Sequence, residues 1–177
     1  MISASQGLLS AAVGRRIYKG FGHCYAVGPP RSSGDLAAAD PTTENPDMRK
    51  NISSGSPFEP KIGFSRAVRI GPHLAISGTA PIAANGEVAA PGDVYGQTKR
   101  CLEIAAAAIS AAGMKLEDTI RTRIMLTDIS RWNDAARAHG EVFGAIRPAC
   151  TFVEVKGLID KAWLVEIEVD CVVDADA

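Results

Sequence analysis

The sequence predicts an α+β domain in which one sheet is covered on a single face by two helices. Three observations carry this prediction. TIRTRIMLT (119–127) and WLVEIEVDCVV (163–173) alternate side chains with period two, as strands with unlike faces do. Two segments, about 93–112 and 130–145, carry apolar or small side chains three and four apart, the pattern of a helix with one buried stripe. The order β-β-α-β-α-β-β then leaves the helices only the sheet on which to bury those stripes.

The elements follow in order. SRAVRIG and HLAISGT flank Gly71-Pro72, a pair suited to a tight turn because proline presets one dihedral and glycine tolerates the other, so they read as a hairpin. Ala84-Asn85-Gly86-Glu87 is a second hairpin-type connection. In the first helix, Asp93 to Ala112, the stripe runs through 94, 98, 101, 105, 108 or 109 and 112, while Lys99, Arg100 and Glu103 face elsewhere. Asp93 is placed to cap its free amides and Gly113 to end it.

Strand 119–127 directs Ile120, Thr122, Ile124 and Leu126 one way and Arg121, Arg123 and Met125 the other. The second helix, Ser130 to Ala145, has a predicted buried stripe of Trp132, Ala135, Ala136, His139, Val142 and Phe143. Strands at 149–155 and 163–173 complete the set, the last with Trp163, Val165, Ile167, Val169, Cys171 and Val173 on one face and Glu166, Glu168 and Asp170 on the other. The uncovered face therefore mixes Arg121 and Arg123 with three carboxylates, which could pair across neighbouring strands. A face neither wholly apolar nor wholly wet suits contact between subunits.

A chain of 177 residues with 46 % apolar content supports one domain with an appendage. Net charge −1 gives no basic field for nucleic acid. Cysteines at 24, 101, 150 and 171 lack CxxC spacing and suit a reducing cytoplasm. No apolar run approaches the length of a membrane span. Residues 1–50 read as a flexible extension before a domain at 51–177. Up to residue 34 the chain has Arg15, Arg16, Lys19 and Arg31 and no acid, the composition of an organellar presequence, and Gly28 to Asp47 is dense in Gly, Pro, Ser and Asp. Met48, just before the compact region, could equally be the biological start.

The isolated histidines His23, His73 and His139 form no metal-ligand spacing, and there is no phosphate-binding glycine loop, so neither a metal nor a nucleotide cofactor is expected. Ser77-Gly78-Thr79 places hydroxyls and a permissive glycine at a strand end. Glu166, flanked by Val165 and Ile167, should be partly desolvated; it could activate a water or simply pair with Arg121 or Arg123. Arg147 could clamp a carboxylate, cap a helix end or meet Glu141. Cys150 has no sequence-local histidine to activate it and is expected to be a buried, inert thiol.

FSRAVRIGPHLAISGTAP, GDVYGQTKRCLEIAAAAISAAGMKLEDTIRTRIMLTDI, RPACTFVEV and LVEIEVDCVV, in this order and spacing over about 56–174, resemble the Rid (YjgF/YER057c/UK114) family. The resemblance implies a chorismate mutase-like fold, a homotrimer with clefts between subunits, and cofactor-independent hydrolysis of reactive enamines and imines to carbonyl compounds and ammonia. By the same resemblance Glu166 matches the glutamate associated with the catalytic water and Ser77 the serine at the pocket's strand end. The family's carboxylate-binding arginine falls where this chain has Cys150, while Arg147 lies three positions out of register. The usual tyrosine near the domain's start is replaced around Phe64-Ser65, and the asparagine of the second helix near Ala136. Arg66, Trp132, His139, Arg147 and Cys150 are then candidates to line a differently shaped pocket for a small molecule. The alternative is a homotrimer that binds a metabolite or a partner protein without turnover.

Overall fold

The computed structural model describes residues 48–173. The proposed presequence, His23 and almost all of the proposed extension lie outside the described residues. Six strands form one sheet in the order β1-β2-β3-β6-β4-β5, built from β1 (Lys50–Ile52), β2 (Ala67–Ile70), β3 (His73–Thr79), β4 (Thr119–Leu126), β5 (Ala149–Glu154) and β6 (Val165–Val172). Every pairing is antiparallel except β4 with β5, which are parallel because α3 (Trp132–Phe143) carries the chain back between them. That helix and α2 (Val94–Ala111) pack on one face, as the stripes require.

The core lies between these layers. β6 contributes Val165, Ile167, Val169 and Cys171, β4 contributes Ile124 and Leu126, and β3 contributes Leu74 and Ile76, all nearly inaccessible. From α2 come Val94, Cys101, Leu102, Ala105, Ala108 and Ile109. Two short elements escape the periodicity reading: β1 on the sheet edge and α1 (Phe58–Ile62). With three and five residues, neither is long enough to repeat its period of two or about 3.6. The second predicted hairpin is a miniature outside the sheet, bridged at Ile82 and Val88, with Gly86 at φ 84°.

Four local expectations are corrected. Ile120 is not a core residue but half exposed, because a register shift between Thr119 and Arg121 inserts one extra residue and Thr119 takes the buried position. Trp132 is 47 % exposed and Ala136 only partly buried, while Ala138, which the expected stripe left out, is buried. Asp93 makes no side-chain cap; its carbonyl accepts from Gln97 N. Gly113 does terminate α2 with φ 74°, and Met114 N donates back to Ile109 O.

His139, on α3, meets Thr122 Oγ1 at 2.9 Å through Nε2, and burial holds its pKa below the ordinary 6.5. The folded chain thus resists a proton that the unfolded chain accepts. Stability from this site is complete above about pH 6.5 and falls as the pH drops below it. His139→Gln is expected to flatten that decline between about pH 7 and 5; urea midpoints across the range measure it, and an unchanged slope would refute the assignment.

Candidate functional site

β3 does not run straight to its end. Ile76 pairs with Val169 and Thr79 with Ile167, so Ser77 and Gly78 together oppose Glu168 in a bulge. Gly78 has a steric role there: a β-carbon at this position would collide with the carboxylate of Glu166. The bulge and the missing side chain together make the niche in which that carboxylate rests.

Arg66 holds the bulge in place. Its Nη1 donates to Gly78 O at 2.8 Å and Thr79 Oγ1 at 3.0 Å, with a longer contact to Ser77 O at 3.4 Å. Ser77 N donates to Arg66 O, and Ser77 Oγ donates to Ser65 O at 2.7 Å. Because the Ser77 hydroxyl proton is committed, its oxygen is left to accept a hydrogen bond from a ligand N–H.

Glu166 is half-buried and stands opposite Met125 on β4. The alternative left open by sequence was a pairing with Arg121 or Arg123, and neither forms. Arg123 binds Glu168 at 2.7 Å and Asp170 at 3.0 Å, while Arg121 is exposed. Glu166 makes no ion pair among the described residues. Burial pushes its pKa up, the Glu168 charge pushes the same way, and the Arg66 charge opposes them. A carboxylate so placed has the enhanced basicity of a general base.

A shallow groove of about 560 Å³ adjoins this cluster, with Glu59, Phe64, Ser65 and Ser77 in its wall. Glu166 is not part of that wall; it reaches only Ser77's neighbour Gly78. Glu59 is buried yet charged: burial raises its pKa, but hydrogen bonds from the Ser53 and Ser54 hydroxyls and from Ser54 N, with the Arg66 charge, leave it below the ordinary value.

The other candidates gather elsewhere. Cys150 pairs with Thr122, three residues along β4 from Met125 and so about 10 Å away along the strand, with its side chain on the opposite face of the sheet from Glu166. It is exposed, not buried as expected. Trp132 and His139 meet Phe152 edge-to-face on that helix-covered side, with ring centroids 6.2 and 6.3 Å from it. Arg147 is exposed, at φ 53°, and its N–H ends α3 on Phe143 O; Glu141 instead bonds Tyr95 and Lys99. One chain therefore unites Arg66, Ser77 and Glu166 and keeps Trp132, His139, Arg147 and Cys150 apart from them.

Sequence reasoning missed Gln97, and it read Gly78 as a permissive glycine at a strand end without its steric role. Gln97 is fully buried in α2, donating Nε2 to Ala162 O at 2.9 Å and accepting from Leu164 N at 2.8 Å through Oε1. It thereby fixes the segment that delivers Glu166. A polar residue inside an apolar stripe was the available signal.

Residues 55–173 match the family model described as Endoribonuclease L-PSP, about two-thirds of the chain. The chain belongs to this family. Among solved members, Rv2704 of the YjgF/YER057c/UK114 family from Mycobacterium tuberculosis is 44 % identical, with TM-score 0.65 over 71 % of this chain and all of that one. The YjgF gene product of E. coli superimposes with TM-score 0.60 at 28 % identity over 70 % of this chain and 98 % of that one. SCO2049 of Streptomyces coelicolor is 38 % identical over 68 % of this chain and 90 % of its own length. The α+β sheet with two covering helices is thus the fold of YjgF-family structures.

Gly78 offers a direct handle on the niche. Gly78→Ala is expected to remain folded, because the colliding atoms are the mobile end of a side chain and not backbone. The Glu166 carboxylate must move, so any hydrolysis depending on it should drop by about 10²-fold. Initial rates beside a thermal melt check this; an unaltered rate in a folded variant would refute the niche.

Proposed function

We propose that this chain is a cofactor-independent hydrolase of reactive enamines or imines, yielding a carbonyl compound and ammonia. One observation carries the reading: Glu166, half-buried and outside any ion pair among the described residues, sits against Gly78 beside Ser77 and Arg66. The enamine first tautomerises to the imine. Glu166 then takes a proton from water as the water oxygen bonds to the imine carbon and the C–N π pair moves to nitrogen. Return of that proton to nitrogen gives the neutral carbinolamine; Glu166 then takes the hydroxyl proton and passes it to the same nitrogen as the carbonyl forms and the C–N bond breaks, releasing ammonia. Ser77 Oγ accepts the substrate N–H, and placement of charge rather than a covalent intermediate lowers the barrier.

The active form in this reading is a homotrimer in the cytoplasm. A neighbouring copy brings its Trp132, His139, Arg147 and Cys150 towards Glu166, joining the two groups that one chain keeps apart. Residues 1–50 precede the working domain, and a relative named mitochondrial, mmf1 of Schizosaccharomyces pombe, keeps organellar delivery as the variant of this proposal. No helix among the described residues is long and apolar enough to cross a membrane. An RNA substrate is disfavoured by the open face, where Arg123 is already bound by two carboxylates.

The test is ammonia release from a panel of freshly generated imines by the full chain and by its Glu166→Gln variant. Equal rates would overturn the catalytic role. Saturable binding without turnover would support the non-catalytic alternative, which the uncharged Cys150 favours.

A further inference from the structure

We infer that Glu59 and Arg66 are positioning residues for Glu166: the guanidinium is fastened to the β3 bulge, and Glu59 holds it back from closing an ion pair with the base. This rests on the hydrolase reading and adds to it the residues that set the base. A guanidinium beside a half-buried carboxylate ordinarily pairs with it, because charge-assisted N–H bonds to a carboxylate are strong. Arg66 makes no ion pair among the described residues, although its charge bears on both Glu59 and Glu166. Two restraints account for this. Its Nη1 is spent on the bulge, donating to Gly78 O at 2.8 Å, Thr79 Oγ1 at 3.0 Å and Ser77 O at 3.4 Å. Glu59 attracts the same guanidinium and is itself fixed, because Ser54 N at 2.8 Å and the Ser53 and Ser54 hydroxyls clasp its two oxygens. Burial works against the charge of Glu59, but those bonds and Arg66 outweigh it and keep it ionised.

Among the described residues no other charge substitutes for this pair. Glu168, two residues along β6, favours the protonated form of Glu166, and the residue opposite on β4 is the uncharged Met125. Arg123 on β4 is bound by Glu168 and Asp170, and Arg121 is exposed opposite Asp170. Ser77 and Gly78 of β3 carry no charge. Cys101 of α2 stays a neutral thiol, its pKa pushed up by burial and then by the Glu166 charge. The basicity of Glu166 therefore turns on where the Arg66 guanidinium sits. Held on the bulge, it maintains the Gly78 niche; released towards Glu166, it would occupy the oxygens that take the proton.

The test follows the titration midpoint of the Glu166 side-chain carboxyl by ¹³C NMR in the full chain, together with the acid limb of kcat/KM for the imine panel. Glu59→Gln keeps the shape and the bonds from Ser54 and removes only the charge. It is expected to lower both midpoints by about one pH unit, the low end of what a close cation does to a carboxylate, and kcat by about tenfold. Arg66→Gln should raise both midpoints, since the attractive charge is gone. In the double variant Glu59→Gln loses its effect, leaving the midpoint within about 0.3 of Arg66→Gln alone, because without the guanidinium Glu59 has no route to Glu166. A packing defect would neither reverse sign nor vanish in this way. An unmoved midpoint in Glu59→Gln, or the same shift with and without Arg66, overturns the inference. Should a variant unfold, wild-type protein labelled with ¹⁵N-arginine decides. Its Arg66 Nε–H resonance is expected to shift in two steps as pH falls, with protonation of Glu166 and then of Glu59; a single step overturns the assignment. If the wild type hydrolyses no imine, the hydrolase reading falls, while the carboxyl midpoints still judge the positioning.

Discussion

Glu166→Gln is expected to reduce imine hydrolysis by about 10²–10⁴-fold, the range that a positioned general base contributes. The loss should appear in kcat, because glutamine preserves size and hydrogen-bonding reach and removes only the ability to take a proton. The fold should survive, since the side chain rests in the Gly78 niche outside the packed core. Stability provides an independent check on the same residue. Its folded-state pKa is raised above the ordinary 4.5, chiefly by burial, so the native chain holds the proton more tightly than the unfolded chain does. Wild-type stability from this site is therefore greatest when the group is protonated, and is lost as pH rises through the ordinary carboxylate range to the folded pKa. At neutral pH the glutamine variant should be at least as stable as the wild type, with its advantage vanishing in acid below about pH 4. Denaturant midpoints at both pH values measure this. A glutamine variant less stable at neutral pH would mean that the carboxylate has a charged partner after all.

Gln97→Ala is expected to destabilise the chain by about 2–4 kcal/mol, since Leu164 N–H and Ala162 C=O each lose the partner that a buried amide supplied. This is a large share of the roughly 5–15 kcal/mol that holds a domain together. The consequence extends to chemistry, because Leu164 is two residues before Glu166 and immediately precedes β6, whose register with β4 begins at Val165. Gln97→Glu should be nearly as damaging at neutral pH, since it puts an unpaired charge where Ala162 O expects a donor. Urea unfolding measures both variants, and a change below about 0.5 kcal/mol, within the scatter of surface substitutions, would show that the amide is not structural.

The family expectation and the position of Glu166 on a non-core strand face were legible because they rest on local patterns. Alternation in WLVEIEVDCVV put the carboxylates on the face opposite Val165 and Ile167, and burial in the structure follows that pattern. The same reasoning failed at Ile120, where the bulge breaks the period, and at Trp132, which as the first residue of α3 stays half exposed. Cys150 was expected inside because free thiols usually are; it is outside because β5 is an edge strand with α3 shielding it incompletely.

By itself the sequence determined the longer strands and helices, most of their apolar faces and the family, because side-chain periodicity and motif order are written along one dimension. Only the tertiary structure decided which arginine meets which carboxylate. Arg123 is drawn to Glu168 and Asp170 by the β4–β6 register, and a bulge in β3, held by Arg66 and vacated by Gly78, receives Glu166. Strand register and bulges arise from pairings between residues dozens of positions apart, so the identity of a charge is local information and its partner is not.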